Sequence, residues 1–367
     1  MSTKPMFEKI YIDLENLIIS GNIKKGSKIY TEAEVVEKYN VSRITARRAL
    51  TELTKSGYIE RKKRTGSFVI YPEIKPTPKS SFGQAANHMN IALVVPFSKS
   101  IVNHIFEPIL KNTEKYNIST SFHITNDSVE TERSVLKSLL STKPDGILVT
   151  AIEQTDNLNT YLQLHQKGIP IVFVDQYLPW LNMPYIASDN YKGMYDLTEW
   201  IIKKDYKKIA FLFTSAFKIS ENERLKGFMH AMQFSKLPLH DWFLINLDVP
   251  VSGDDMHINR LKENLITEHF SFMQRTNQLP EVVMCINDMT AVITIKVLNQ
   301  LGLCVPEDIT VTGFDNDAFY NFLNYSFTTV AQDFETIGVK AIETLIDIKE
   351  GRQVPVENLI ETSLVIR

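Results

Sequence analysis

Residues 41–53 read Val41-Ser42-Arg43-Ile44-Thr45-Ala46-Arg47-Arg48-Ala49-Leu50-Thr51-Glu52-Leu53. Ala46, Ala49, Leu50 and Leu53 follow the i, i+3, i+4, i+7 spacing of a helix with one buried face. Ser42 stands where an N-cap belongs, since its hydroxyl can accept from a free backbone N–H of the first turn. Outside the apolar stripe lie Arg43, Thr45, Arg47, Arg48 and Thr51. Arginine can give two parallel hydrogen bonds to guanine O6 and N7, and hydroxyls can donate to phosphates or base edges. The start of such a helix adds backbone N–H groups for phosphate. This face suits the major groove of DNA. For a lone helix the alternative, a solvated amphipathic surface, would be preferred.

The helix does not stand alone. Phe7, Ile10, Tyr11, Leu14, Leu17 and Ile18 recur at helical spacing, and Gly21 ends that first helix. Residues 24–28 form a turn. Thr31 and Glu34 make a capping box that opens a second helix, with Val35, Val36 and Tyr39 turned inward. The short Asn40-Val41 turn gives helix-turn-helix geometry, in which one helix crosses the DNA backbone and the next enters the groove. Gly57 stops the third helix. Tyr58-Ile59-Glu60 and Ser67-Phe68-Val69-Ile70 predict two strands around a basic tip, Arg61-Lys62-Lys63-Arg64-Thr65-Gly66, where glycine permits close backbone approach. Residues 1–72 carry 14 Lys/Arg against 8 Asp/Glu, and the remainder 26 against 35, although the net charge is only −3. A basic head on an acidic body implies a polyanionic partner for the head.

Pro72, Pro76, Pro78, Ser80, Ser81 and Gly83 mark residues 72–89 as a linker. Beyond Asn90, apolar runs at 91–97, 146–150, 169–175, 208–213, 282–286 and 310–314 alternate with helical stretches at 104–116, 130–140, 194–204 and 289–301. Continuous apolar strands separated by helices predict parallel sheets covered on both faces. About 280 residues exceed one doubly wound domain, so two lobes are expected. Ligands bind such folds where strand C-terminal ends face a common cleft. Polar groups follow the strands there: Asp175, Asp189-Asn190, Asn287-Asp288, Asp315 and Gln332-Asp333. Carboxylates, amides and a guanidinium satisfy sugar hydroxyls, and Asp175, Asn287, Asp315, Gln332 and Arg224 fit that chemistry. Asp and Asn also cap helices after strands, and Asp189 and Asp288 suit that role equally.

The quoted helix, with Gly57-Tyr58-Ile59, the wing ending Gly66-Ser67-Phe68-Val69, and upstream Gly26 and Thr31-Glu32, resembles the GntR family of winged helix-turn-helix regulators over residues 6–70. Tyr30 stands where that family often has proline, and Arg64 where it often has the first wing glycine. The resemblance implies DNA contacts by Arg43, Thr45, Arg47 and the wing, and homodimers on palindromic double-stranded operators. The full DNA-facing set expected is Thr31, Glu32, Ser42, Arg43, Thr45, Arg47, Arg48, Lys62, Lys63, Arg64 and Gly66.

Residues 90–367 resemble the LacI-type sensor domain, itself similar to periplasmic sugar-binding proteins. The matching segments include Ile169-Pro170-Ile171-Val172-Phe173-Val174-Asp175, Ser188-Asp189-Asn190, Arg224-Leu225-Lys226-Gly227-Phe228, Asn287-Asp288, Gly313-Phe314-Asp315 and Thr329-Val330-Ala331-Gln332-Asp333-Phe334. That resemblance makes Asp175, Arg224, Asn287, Asp315 and Gln332 sugar contacts, with Phe334 beside them. Ser98, His104 and Phe106 line the same mouth. Gln176 stands where the family usually has arginine. The combined head and body are similar to AraR-type arabinose repressors, which implies repression relieved by a sugar. L-arabinose is the first candidate, ahead of L-fucose, another sugar, a sugar phosphate or a nucleoside.

The expected fold class is an α+β winged helix-turn-helix head plus an α/β two-lobed periplasmic-binding-protein-like (LacI-type) domain with parallel sheets. The expected domains are 1–71, a linker 72–89 and 90–367. Lobe 1 takes about 90–187 plus 334–350, and lobe 2 about 188–333 plus 351–367. Two other classes compete. An enzyme is opposed by the lack of G-x-S-x-G, H-E-x-x-H, P-loop and G-x-G-x-x-G motifs; a pyridoxal-phosphate-binding body, as on some GntR relatives, would be longer. A secreted sugar-binding protein is opposed by the basic head and an N-terminus without a long apolar stretch. No catalytic residue, cofactor or metal is expected; Asp315-Asn316-Asp317 lacks the rest of a calcium loop. Cys285 and Cys304 fit no metal or disulfide pattern and are expected to be buried. The expected setting is the cytoplasm, with no membrane association.

Overall fold

In a computed structural model of the chain, the described residues are 6–19, 23–24, 26–55, 58–62, 65–70, 88–96, 102–152, 155–214, 218–249, 255–318, 320 and 325–367. The expectations for Gly21, Lys25, Gly57, Lys63, Arg64, Ser98 and linker residues 72–87 fall outside these. The chain divides into two units, Met1–Ala86 and Asn87–Arg367.

In the head, α1 (Met6–Ile19), α2 (Glu32–Tyr39) and α3 (Arg43–Lys55) precede an antiparallel pair, β1 (Ile59–Lys62) and β2 (Gly66–Val69). Thr31 and Glu34 close the capping box at the start of α2, and Asn40 ends it in the left-handed conformation. The Ser42 hydroxyl accepts from the Thr45 backbone N–H at 3.2 Å. The apolar stripe of α3 packs with Ile10, Leu14 and Ile18 of α1, Val35 of α2, and Ile59 and Val69 of the hairpin in one small core.

The body begins with β3 (Met89–Val95), so its first strand starts within the expected linker. A π-helical turn (Val102–Phe106), α4 (Glu107–Asn112), β4 (Ile118–Ile124), α5 (Val129–Thr142), β5 (Gly146–Val149), α6 (Leu158–Gln166), β6 (Ile171–Val174) and β7 (Tyr185–Ser188) follow. The chain then enters lobe 2 through α7 (Asn190–Lys203), β8 (Ile209–Phe213), α8 (Ile219–Phe234), β9 (Leu244–Asn246), α9 (Asp255–Arg275), β10 (Val282–Cys285), α10 (Asp288–Gln300), β11 (Thr310–Thr312) and β12 (Thr329–Ala331). It returns through α11 (Phe334–Lys349) and β13 (Glu357–Ile360), then ends in β14 (Ser363–Val365).

Lobe 1 is a six-stranded parallel sheet ordered β13-β7-β6-β5-β3-β4. Ala92, Val94, Ile147 and Phe173 face one core with Leu136, Tyr161 and Leu164. Ile91, Leu93, Leu148 and Val172 face the other with Ile109, Ile337 and Leu345. Lobe 2 is a four-stranded parallel sheet ordered β11-β10-β8-β9, also covered on both faces. The continuous apolar runs are thus strands with no solvent face.

Two expectations are corrected. Residues 351–360 belong to lobe 1, not lobe 2, because β13 pairs in parallel with β7, Glu357 opposite Tyr185 and Ile360 opposite Ser188. Only the segment beyond, with β14 paired to β12 and Leu364 packed on the lobe 2 core, fits the expected placement. Cys285 is buried, and that burial pushes its thiol up to about 12, but Cys304 is exposed.

Candidate DNA-reading face and effector cleft

Arg43, Arg47 and Arg48 of α3 are all exposed, but in different settings. Arg47 donates through Nε to Glu32 Oε1 at 3.3 Å, and Arg61 Nη1 lies 3.6 Å from the same oxygen. Glu32 therefore orients two cations; a carboxylate has no proton to offer a phosphate. Thr31 is likewise engaged, accepting from the Glu34 N–H inside the capping box. Ser42 and Thr45 hydroxyls lie 2.9 Å apart. The Arg48 guanidinium sits 3.8 Å from the centroid of the Phe7 ring, stacked toward α1. On the hairpin, Lys62 is exposed, 3.8 Å from Glu60 and 5.6 Å from the Phe68 ring. Gly66 adopts φ +117°, where a side chain would be strained, so the turn itself requires glycine. Arg61 was not among the expected contacts, though its place in the basic tip signalled it.

In the body, Asp175 follows β6 at φ +66°, and Asp315 follows β11 at φ +122°. The second value is a strained one for a residue with a Cβ, of the kind that clusters at ligand clamps and costs about 1–3 kcal/mol. Arg224 of α8 is buried, and each of its three guanidinium nitrogens has a protein partner, which leaves two of its five N–H groups for a ligand. Nε donates to Asn190 Oδ1 at 2.8 Å, Nη1 to the Ile286 carbonyl at 2.9 Å, and Nη2 lies 3.1 Å from Asp315 Oδ1. Its plane sits 3.8 Å from the centroid of the Phe314 ring. Gln332 Nε2 donates to the same Asp315 oxygen at 2.7 Å, and Gln332 Oε1 accepts from Ser188 at 2.6 Å. Burial pushes the Asp315 carboxyl up to about 7; Arg224 opposes this and the carboxylates of Asp288 and Asp175 reinforce it. Asp175 and Asp288 are also raised, chiefly by burial.

His104 reaches the cleft from lobe 1, stacked on Phe334 with centroids 5.3 Å apart and Nε2 3.7 Å from Asp317. Asn287 is near the cluster but caps α10, its carbonyl accepting from the Thr290 N–H and hydroxyl at 2.9 and 2.8 Å. Phe106 is corrected: it is fully buried in the lobe 1 core, edge-on to Phe122 at 6.0 Å, because the π-helical turn points it into the sheet. Two further residues join the cleft. Asp288, buried, accepts from Thr329 Oγ1 at 2.6 Å and from the Asp317 N–H at 2.8 Å, fixing the turn that carries Asp315. Gln176 links the lobes, donating to Asp175 at 2.8 Å and to Ser220 of α8 at 2.7 Å. Its side-chain Oε1 is buried without a hydrogen-bond partner among the described residues. A cavity of about 190 Å³ opens beside Asp175, lined also by Tyr177, Tyr185, Ser188, Asn190 and Ser220. Among the described residues no group of His, Cys, Asp and Glu could hold a metal ion. No helix among them is long and apolar enough to cross a membrane.

A winged helix-turn-helix head and a two-lobed parallel α/β body with a polar cleft together define a ligand-responsive transcriptional regulator. Residues 7–69 match the gntR family of bacterial regulatory proteins, and residues 198–367 match a periplasmic binding protein-like domain. The arabinose metabolism transcriptional repressor of Geobacillus stearothermophilus is 27% identical over 361 residues, 96% of this chain and 93% of that protein. The protein of the same name from Halalkalibacterium halodurans is 28% identical over 95% of this chain and 90% of its own length. The crystal structure of a putative ribose operon repressor from Burkholderia thailandensis superposes with a TM-score of 0.64 at 21% identity, covering 77% of this chain and all of that one. The chain therefore joins a head matching the gntR family to a periplasmic binding protein-like body, and it is similar to arabinose metabolism repressors along nearly its whole length.

Proposed function

We propose that this protein is a cytoplasmic repressor of sugar-utilisation genes that leaves its operator when a small sugar enters the cleft. The observation that carries the reading is the Arg224–Asp315–Gln332 cluster, set at strand ends between the two sheets. A buried guanidinium, a strained carboxylate and an amide are the groups that fix hydroxyls, while the Phe334 ring supplies apolar surface. The relatives' names make L-arabinose the first sugar to try; L-fucose, other sugars, sugar phosphates and nucleosides follow. Asp175, Arg224, Asp315 and Gln332 hold the sugar, with His104 and Phe334 at the rim and Asn287 beside them. Ser98, outside the described residues, is assigned to the same mouth.

Arg43, Thr45 and Arg47 read bases, and Ser42, Arg48, Lys62, Lys63, Arg64 and Gly66 contact or approach the backbone. Glu32 and Thr31 position rather than bind. The active form is a homodimer on a palindromic operator, since two-fold protein symmetry mirrors half-site symmetry. The reading assigns no catalytic step. Titrating sugars into the complex with a selected operator duplex tests it, with sedimentation to give the assembly state. Release by a pentose at concentrations that raise the melting temperature is expected. A complex indifferent to every monosaccharide but shifted by a phosphorylated sugar would overturn the effector class alone.

A further inference from the structure

The outward face of α3 is centred on an isoleucine rather than an arginine. At about 100° per residue, Ala46, Ala49, Leu50 and Leu53 fix the inward direction, and Ile44 lies opposite to them. Those four are buried, whereas Ile44 is 81% exposed, the highest value for any large hydrophobic side chain among the described residues. An exposed apolar residue is ordinary on a protein surface. This one, however, sits in the first turn of a helix between exposed Arg43 and Arg47, with the Ser42 and Thr45 hydroxyls beside it. Arginine is enriched in protein interfaces as well, so its presence alone does not choose the partner; the excess of basic residues in the head, 14 Lys/Arg against 8 Asp/Glu, and the two exposed guanidinium groups together do. They favour a polyanion. The first turn is also the part of a reading helix that reaches base edges. Only one base edge in the major groove presents an apolar group, the 5-methyl of thymine.

We propose that Ile44 is a specificity-determining residue that packs on the 5-methyl group of a thymine in each half-site. The proposal rests on the reading of α3 as the DNA-reading helix, and the test separates the two. A duplex selected from a random library by the full-length protein is resynthesised with deoxyuridine replacing each thymidine in turn, which removes the methyl and nothing else. The wild-type protein binds about fourfold more weakly when one particular thymidine per half-site is replaced, the equilibrium worth of one buried methyl. Ile44→Ala removes the contact from both half-sites, so it binds the thymidine duplex about 16-fold more weakly and no longer distinguishes it from the deoxyuridine duplex. Ile44→Val retains most of the discrimination. Ile44 is solvent-exposed, so all variants are expected to fold, which matched melting curves check. If the wild type tolerates every deoxyuridine while Arg43→Ala loses specific binding, the helix is the reader and the Ile44 proposal is wrong. An Ile44→Ala protein that still senses the methyl overturns it equally. If Arg43→Ala also binds normally, the reading of α3 falls with it.

Discussion

Asp315→Asn is the sharpest probe of the cleft. Asp315 Oδ1 accepts from Arg224 and Gln332, and a carboxamide oxygen can keep both bonds, so the variant retains the local geometry. It removes the charge. A hydrogen bond from a sugar hydroxyl to a charged acceptor is worth about 1.5–3 kcal/mol, and to a neutral one about 0.5–1.5 kcal/mol. The loss is therefore about 1–2 kcal/mol, or roughly 5- to 30-fold in sugar affinity, at a pH above about 7 where the carboxyl is ionised. Asp315→Ala is less informative, because it leaves Arg224 buried without its carboxylate, a disruption worth about 3–5 kcal/mol that reports on folding as much as on ligand. The same substitution has a pH signature. The folded carboxyl titrates near 7, above its ordinary 3.8, so the folded state binds the proton more tightly than the unfolded state. Stability is then greatest below the unfolded value and falls as pH rises through that window to about 7. The wild type should lose melting temperature between pH 5 and pH 7, and Asp315→Asn should lose less. Isothermal titration with L-arabinose and the other sugars, and melts at four pH values, measure both effects. An Asn variant with wild-type sugar affinity and an unchanged pH slope would refute the assignment of Asp315.

Other expectations are simpler. Arg43→Ala or Arg47→Ala should weaken specific binding by about 1–3 kcal/mol in a gel-shift titration, whereas Lys62→Ala should weaken all duplexes alike and lower the salt slope by about one. Leu50→Ala removes a side chain 1% exposed in the head core and should cost about 2–5 kcal/mol, seen as lost operator binding while sugar binding persists. Glu132 is buried and accepts from the Ile152 N–H, Asn157 and Tyr161 at 3.0, 2.6 and 2.8 Å, so Glu132→Ala strands three donors and should lower the melting temperature of the body with no change in DNA affinity per folded molecule.

The head was legible because its signals agree with one another: capping box, apolar stripe and hairpin each dictate one local structure. In the body, β5, β6, β8 and β10 were legible for the opposite reason, being apolar throughout and buried on both faces. The edge strands of lobe 1 were not. Residues 118–124 and 357–360 alternate between covered and exposed positions and carry polar residues that read as loop. The inner face of α8 carries Ser220, Glu221 and Arg224 because it borders the cleft, which blurred the helical stripe. Cleft positions at strand ends were readable as chemistry, but the division of labour was not. Asn287 and Asp288 are adjacent, yet one caps a helix and the other braces the Asp315 turn through contacts 29 and 41 residues away. Phe106 was misplaced because an aromatic residue after a first strand suits a mouth or a core equally well.

The chain crosses between the lobes three times, after β7, after β12 and after β13. Neither lobe is a continuous stretch, so neither can be inherited, expressed or exchanged by a single cut. A chimera joined once between residues 188 and 189, made to lend one regulator the sugar preference of another, would carry α11 and β13 across from the donor along with lobe 2. The recipient's β7 would then have to accept a foreign edge strand at Glu357–Ile360, and His104 would face a donor residue in place of its own Phe334. Transplanting specificity in this architecture calls for exchange of individual cleft side chains, or for a graft with all three junctions matched.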